Sequence, residues 1–250
     1  MIGIVGGVGP YAGIDLAKNV FANTLADTDQ EHLPMVMMSV PETILDRTEY
    51  LLNIDDDNPG RGIAEVILRM EAAGATVAGI PCNTAHQKDI IGLTKQVLAE
   101  NNSKIKLLSM IDETIKAIIA EYPGLKKIGV LSTTGTYQFN IYSEPLKKAR
   151  LEPIRPPFDI QKKIIHPAIY NKEYGIKAKS DPVTDWARAD LLAMIDLLKL
   201  DGAEIIIKGC TEIALAIPEQ IVDGIPTIDP SVVLARSLIQ QLNPIKLKPS

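Results

Sequence analysis

Two cysteines in this 250-residue chain occur in matching local sequences. One begins Cys82-Asn83-Thr84 and the other, 128 residues later, begins Cys210-Thr211-Glu212; each stands eight residues after a glycine, Gly74 or Gly202. Two thiols in opposite protonation states can act as the base that removes a proton and the acid that returns one. The pair therefore indicates acid–base chemistry, although either cysteine alone could be a small buried hydrophobic residue.

Short apolar runs alternate with longer amphipathic stretches, which predicts β-α units around parallel sheets. The predicted strands are 2–5, 34–40, 76–80, 105–109, 127–131, 203–208 and 225–228, and the predicted helices are 11–25, 61–73, 86–100, 112–121, 183–200 and 230–242. Gly74 and Gly202 are placed to end the helices that precede the cysteines. Helices are expected to start directly after both cysteines, where their N-termini would lower the thiol pKa values and bind a carboxylate.

The resemblance between the two halves extends beyond the cysteines. Ile2-Gly3-Ile4-Val5 runs into a glycine-rich turn, and Ile128-Gly129-Val130-Leu131 runs into Ser132-Thr133-Thr134. We therefore predict an α/β protein of two similar domains, 1–110 with 230–250 and 111–229, each with a mostly parallel sheet flanked by helices. Because open α/β sheets bind ligands beyond the carboxyl ends of their strands, the active site is expected in the cleft between the domains.

Composition narrows the class of protein. A hydrophobic content of 46% and a formal charge of −5, with no long Lys/Arg tract, are typical of a globular protein that does not bind nucleic acid. No apolar run reaches the ~20 residues of a membrane helix, and no basic segment precedes the first strand, so neither a membrane span nor a signal peptide is expected. Two cysteines are too few for a disulfide framework, which predicts a cytoplasmic enzyme.

Three segments resemble the aspartate racemase branch of the aspartate/glutamate (Asp/Glu/hydantoin) racemase superfamily. They are Gly6-Gly7-Val8-Gly9-Pro10, Pro81-Cys82-Asn83-Thr84-Ala85-His86 and Gly209-Cys210-Thr211-Glu212, in the family's order along the chain. The resemblance implies a two-domain α/β fold and racemisation by two bases, Cys82 and Cys210. It also implies no pyridoxal phosphate or other cofactor, and a homodimer. The first turn lacks the Asp-Ser-Gly start of glutamate racemases.

Two further segments resemble substrate-binding parts of the same family. Asp46-Arg47-Thr48 is similar to a segment whose arginine contacts the substrate, and Tyr174-Gly175-Ile176-Lys177 to one whose lysine lies at the active site. Two cations suit an acidic amino acid, whose second carboxylate can receive two hydrogen bonds from an arginine. The resulting set of expected substrate-binding residues is Arg47, Asn83, Thr84, Ala85, Thr133, Lys177 and Thr211. Without the resemblance, Arg47 and Lys177 would be interpreted as solvated surface charges.

The sequence departs from the family pattern in two places. Residues 41–48 form a longer run than the family's Pro-Asp-Arg-Thr segment, so strict specificity for aspartate is not expected. Aspartate is the first expected substrate and glutamate the second. Lys208 stands before the second cysteine where an apolar residue is usual. We expect its ammonium group to extend to the end of the sheet rather than to act on Cys210.

Several other functions are compatible with parts of the sequence. Gly7-Val8-Gly9 partly matches a dinucleotide-binding turn, although the third glycine is one position late. Cys82 and His86 could be half of a metal site, but few other ligands are available, so no metal is expected and His86 is expected to orient or polarise Cys82. The same fold could also serve a small-carboxylate isomerase, a decarboxylase or an inactive binding protein.

Overall fold

The computed structural model describes residues 1–54 and 56–249, which form two compact units. Unit 1 comprises Met1–Glu113 and the C-terminal segment from Ser231, and unit 2 comprises Thr114–Pro230. Each unit carries one of the two cysteines. None of the helices in the described part of the chain is long and apolar enough to cross a membrane.

Strands and helices alternate along both units. The strands are β1 (Ile2–Val5), β2 (Met35–Met38), β3 (Val77–Gly79), β4 (Lys106–Leu108), β5 (Lys127–Ser132), β6 (Glu152–Ile154), β7 (Ile205–Gly209), β8 (Ile221–Val222) and β9 (Ile225–Ile228). The helices are α1 (Pro10–Asn23), α2 (Arg47–Leu51), α3 (Gly60–Ala72), α4 (Lys88–Glu100), α5 (Met110–Glu121), α6 (Thr134–Gln138), α7 (Ser143–Lys148), α8 (Phe158–Ile160), α9 (His166–Tyr170), α10 (Asp185–Leu200), α11 (Thr211–Ala216) and α12 (Pro230–Leu242).

Unit 1 is a parallel sheet covered by helices on both faces. Its strand order is β2-β1-β3-β4. Apolar side chains alternate across β1: Val5 packs with α3 and α4, while Ile2 and Ile4 pack with α1 and α12. Strands buried on both faces are nearly continuous apolar runs, and this explains why the first strand could be predicted from its sequence.

Unit 2 repeats this strand arrangement. Its order, β6-β5-β7-β9-β8, becomes that of unit 1 when β5, β6, β7 and β9 replace β1, β2, β3 and β4; only the added edge strand β8 is antiparallel. One side of the sheet is covered by α10, whose buried residues include Leu191, Ile195 and Leu198. The predicted α/β fold with two similar, mostly parallel sheets is confirmed.

The sequence analysis missed two edge strands and several short helices. The edge strand β6 escaped prediction because Pro153 interrupts it, and a proline is tolerated only where a strand has a free edge. By contrast, the predicted helix ends are confirmed: Gly74 and Gly202 follow α3 and α10 with φ of +101° and +93°, which favour glycine.

Candidate active site

The two cysteines occupy equivalent places in their sheets. In unit 1 the chain adds β2 to one side of β1 and β3 to the other, and in unit 2 it adds β6 and β7 around β5 in the same way. Cys82 follows β3 and Cys210 follows β7, beyond the carboxyl ends of these strands. Parallel α/β sheets bind ligands where the strand order reverses in this manner, so each thiol lies at a position suited to chemistry.

A tight turn, rather than a long helix, follows Cys82. The Cys82 N–H donates to the Ile80 carbonyl at 2.8 Å, and a 3₁₀ turn over Thr84–His86 comes next. Gln87 is then extended, and its side chain caps α4 by accepting from the N–H of Asp89 at 2.6 Å. The prediction that Cys82 lies at the start of helix 86–100 is therefore wrong, because Gln87 separates the turn from a helix that begins at Lys88.

His86 fixes the main chain at Cys82. Its Nδ1 lies 2.9 Å from the Cys82 carbonyl, and its Nε2 lies 3.1 Å from the amide N of Met110, the first residue of α5. Because an amide can only donate, Nε2 is the acceptor and Nδ1 carries the hydrogen that is donated to Cys82. Burial lowers the pKa of His86, which favours the neutral ring that this pattern requires. The imidazole thus orients the Cys82 backbone.

Arg47 is a buried residue at the same end of the unit 1 sheet. It starts α2, is only 7% exposed, and donates to the carbonyls of Val8, in the glycine turn after β1, and of Leu45. Helix α2 lies against the 3₁₀ turn that follows Cys82. The alternative of a solvated surface charge is wrong for Arg47. Its guanidinium instead bonds to the main chain of segments that lie at the Cys82 end of the unit 1 sheet.

The three residues after Cys82 are also buried. Asn83, Thr84 and Ala85 form the turn, with the Asn83 carbonyl accepting from the His86 N–H and the Thr84 carbonyl from the Gln87 N–H, both at 3.1 Å. The turn is therefore held by its own main chain, which gives the segment a defined shape next to the thiol.

In unit 2, Cys210 belongs to a compact charged cluster. Its Sγ lies 2.9 Å from Glu212 Oε2, which also accepts from the Thr211 hydroxyl at 3.1 Å. The other carboxylate oxygen, Oε1, lies 2.7 Å from Lys177 Nζ. Thr211 and Glu212 open α11, as predicted, with Cys210 at its N-cap position. The cluster joins residues from two separate segments of the chain.

The cluster shifts the pKa of Cys210 in the direction opposite to the one expected from its place at a helix start. Burial and the adjacent Glu212 carboxylate raise the pKa of the Cys210 thiol well above its usual value. The Lys177 ammonium and the hydrogen bonds hold the pKa of Glu212 at about 2 despite its burial. The prediction of a lowered Cys210 pKa is therefore wrong, because a short helix start contributes less than burial beside a carboxylate.

The segment that carries Lys177 is held tightly against α9. The amides of Ile176 and Lys177 donate to the carbonyls of Ala168 and Ile169, each at 3.0 Å. A side chain at Gly175 would place its Cβ 2.5 Å from the amide N of Asn171, so this contact requires glycine. The main-chain contacts of this segment thus hold Lys177 where its ammonium group pairs with Glu212.

Two other residues of interest make structural contacts. Lys208 is buried, and its Nζ donates to the carbonyls of Ile217 at 3.0 Å and Glu219 at 3.4 Å. The Thr133 hydroxyl caps α6 by accepting from the Thr136 N–H at 3.1 Å. The structure therefore places Thr133 at the carboxyl end of β5, next to the strand that precedes Cys210.

Glu212 is the functional candidate that the sequence analysis did not select. The signal that could have identified it is a carboxylate two residues after a cysteine at a predicted helix start.

Among residues 1–54 and 56–249, no three His, Cys, Asp or Glu side chains are grouped in a way that could hold a metal ion.

Comparison with known proteins identifies the family. The Asp/Glu/hydantoin racemase family model matches residues 5–238, and the chain belongs to this family of racemases. The broad specificity amino-acid racemase RacX of Bacillus subtilis is 29% identical over 96% of both chains. The structure of Picrophilus torridus aspartate racemase is 28% identical, with a TM-score of 0.78 over 96% of this chain and 93% of that one. Glutamate racemase of Francisella tularensis, at 16% identity, shares the fold with a TM-score of 0.66 over 100% of this chain and 83% of that one.

Proposed function

We propose that this enzyme interconverts the L and D forms of an amino acid without a cofactor, using Cys82 and Cys210 as its two acid/base groups. The observation that carries the proposal is the equivalent placement of the two thiols, each beyond the carboxyl end of a strand at the point where its sheet reverses order. One thiolate removes the α-proton, and the other thiol donates a proton to the opposite face of the α-carbon. No proton is consumed in a turnover.

An acidic amino acid is the proposed substrate, with aspartate first and glutamate second. Arg47 supports this choice, because a guanidinium has five N–H donors and can hold main-chain carbonyls and a carboxylate at once. The similarity to an aspartate racemase points the same way, whereas the similarity to a broad specificity racemase favours testing further amino acids. The residues proposed to contact substrate are Arg47, Asn83, Thr84, Ala85, Thr133, Lys177 and Thr211.

Exchange of the α-hydrogen tests the proposal directly. The α-proton signals of both enantiomers of aspartate or glutamate are measured by proton NMR in D₂O. We expect these signals to disappear when purified protein is added, because each α-carbon is reprotonated from a thiol that exchanges with solvent. EDTA should leave the rate unchanged, and pyridoxal phosphate should not be needed. The Cys82→Ser/Cys210→Ser double variant is the control. Activity that is abolished by EDTA or that requires added pyridoxal phosphate would contradict the proposal.

We also propose a homodimer, with the exposed face of α1 as its interface. Tyr11, Ile14 and Phe21 are exposed on one side of this helix, with Lys18 between them, and Leu25 is a further exposed apolar residue beyond its end. Both cysteines are free, and the proposed mechanism needs them reduced, which suits a cytoplasmic enzyme.

Sedimentation equilibrium tests the assembly. We expect a mass twice that of the 27.2 kDa chain, and a shift toward monomer in Ile14→Glu because a charge would be buried at the interface. Leu200→Glu is the matched control, since Leu200 is an exposed apolar residue at the end of α10. A wild-type mass of one chain at micromolar concentration would refute the dimer, and equal dissociation of both variants would refute the α1 interface.

A further inference from the structure

We propose that Glu212 is a positioning residue that keeps Cys210 in its thiol form in the free enzyme. Cys210 then begins as the acid and Cys82 as the base. This inference rests on the proposed two-cysteine mechanism, which makes Cys82 the base when Cys210 is the acid, and it adds to that mechanism the resting protonation state of Cys210.

The hydrogen bond between the two side chains defines the protonation of Cys210. An ionised carboxylate can only accept hydrogen bonds, so at a separation of 2.9 Å the Cys210 S–H must donate to Glu212 Oε2. A thiolate at the same distance would place two negative charges in contact. Cys210 is 4% exposed and Glu212 7% exposed, so water screens this repulsion poorly.

The surrounding groups keep Glu212 ionised. Oε1 pairs with Lys177, and Oε2 also accepts from Thr211. Tyr170 faces the ammonium group, with its ring centroid 5.7 Å from Lys177 Nζ, and Lys208 is directed to carbonyls of other residues. With a thiol, the cluster contains one positive and one negative charge; with a thiolate, it would carry a net negative charge in a buried position. The thiol form is therefore favoured, in agreement with the direction in which the pKa of Cys210 is shifted.

A turnover from this state has a defined direction. The Cys82 thiolate takes the α-proton and becomes a thiol, and the resulting carbanion takes the proton of Cys210, which becomes a thiolate beside Glu212. The cluster is then negatively charged, and this favours return of a proton to Cys210, either in the reverse turnover or from solvent. The free enzyme is thus in the protonation state that acts on the enantiomer whose α-hydrogen faces Cys82.

Thiolate absorbance in single-cysteine proteins tests this inference. The chain has two cysteines, so Cys82→Ser leaves Cys210 as the one thiol, and its ultraviolet absorbance can be titrated after subtraction of the double serine variant. We expect the midpoint of Cys82→Ser to lie above the ordinary thiol value of about 8.5. Adding Glu212→Gln to Cys82→Ser should lower the midpoint by about one pH unit or more, because a neighbouring negative charge is removed.

A control variant and a second readout complete the test. Glu219→Gln is the matched control, because Glu219 is a carboxylate of unit 2 that pairs with Arg188 instead, and it should leave the midpoint unchanged. Should the Glu212 variant fail to fold, the midpoint of Cys82→Ser decides the question by itself, because the neighbouring carboxylate should hold it above the ordinary thiol value of about 8.5. An unchanged midpoint in folded Glu212→Gln, or a midpoint of Cys82→Ser at or below the ordinary thiol value, would overturn the inference. These titrations need no turnover, so their outcome is separate from whether the wild type exchanges α-hydrogens.

Discussion

Replacing either Cys82 or Cys210 by serine is expected to reduce net racemisation by about a thousandfold or more in both directions, since a positioned acid or base typically contributes roughly 10²–10⁴-fold. Every net turnover of the proposed mechanism uses both thiols, so the two variants should be impaired to a similar degree. A serine hydroxyl keeps the size and the hydrogen-bonding capacity of the site, but it is far less acidic than a thiol. Initial rates from each pure enantiomer, followed by polarimetry, measure the loss.

Deuterium wash-in distinguishes a two-base mechanism from general damage to the site. Each variant retains one thiol, which can still exchange the α-hydrogen of the single enantiomer that presents it. Cys82→Ser and Cys210→Ser should therefore show opposite enantiomer preferences in D₂O. The double serine variant is the control and should exchange neither enantiomer. Near-wild-type racemisation by either single variant would mean that another residue performs the chemistry.

The second large effect is expected for Arg47→Ala. Loss of a charge-assisted contact with the substrate should cost about 1.5–3 kcal/mol, or roughly one to two decades in kcat/KM for the best acidic substrate. The guanidinium also donates to the carbonyls of Val8 and Leu45, so the free energy of unfolding should fall as well. Urea denaturation and steady-state kinetics measure the two effects separately.

A comparison of substrates shows which carboxylate Arg47 contacts. If the guanidinium binds the side-chain carboxylate, Arg47→Ala should lose more activity toward aspartate than toward alanine. If it binds the α-carboxylate, the variant should lose activity toward both substrates by the same factor. Arg61→Ala is the matched control, because Arg61 is an exposed arginine on α3 and should leave kcat/KM and stability unchanged. An unchanged kcat/KM for aspartate and glutamate in Arg47→Ala would remove this residue from the substrate-binding set.

The sequence by itself determined the repeated framework and the two thiols. Buried parallel strands such as β1 and β3 are apolar throughout, and the glycines after α3 and α10 mark helix ends whose positive φ few other residues adopt. These signals are local, and they therefore survive in a single sequence. The spacing of 128 residues between Cys82 and Cys210 then reflects a repeated unit with the same strand order.

Only the tertiary structure decided the environment of each thiol. Lys177 and its partner Glu212 are 35 residues apart in the sequence, and His86 and its partner Met110 are 24 residues apart. Neither separation matches the periodicity of a helix or a strand, so no sequence pattern could reveal these contacts. The pairing reverses the expected effect on Cys210, because a buried carboxylate outweighs a short helix start. Charge and burial are properties of neighbours in space, and the fold, rather than the local sequence, selects those neighbours.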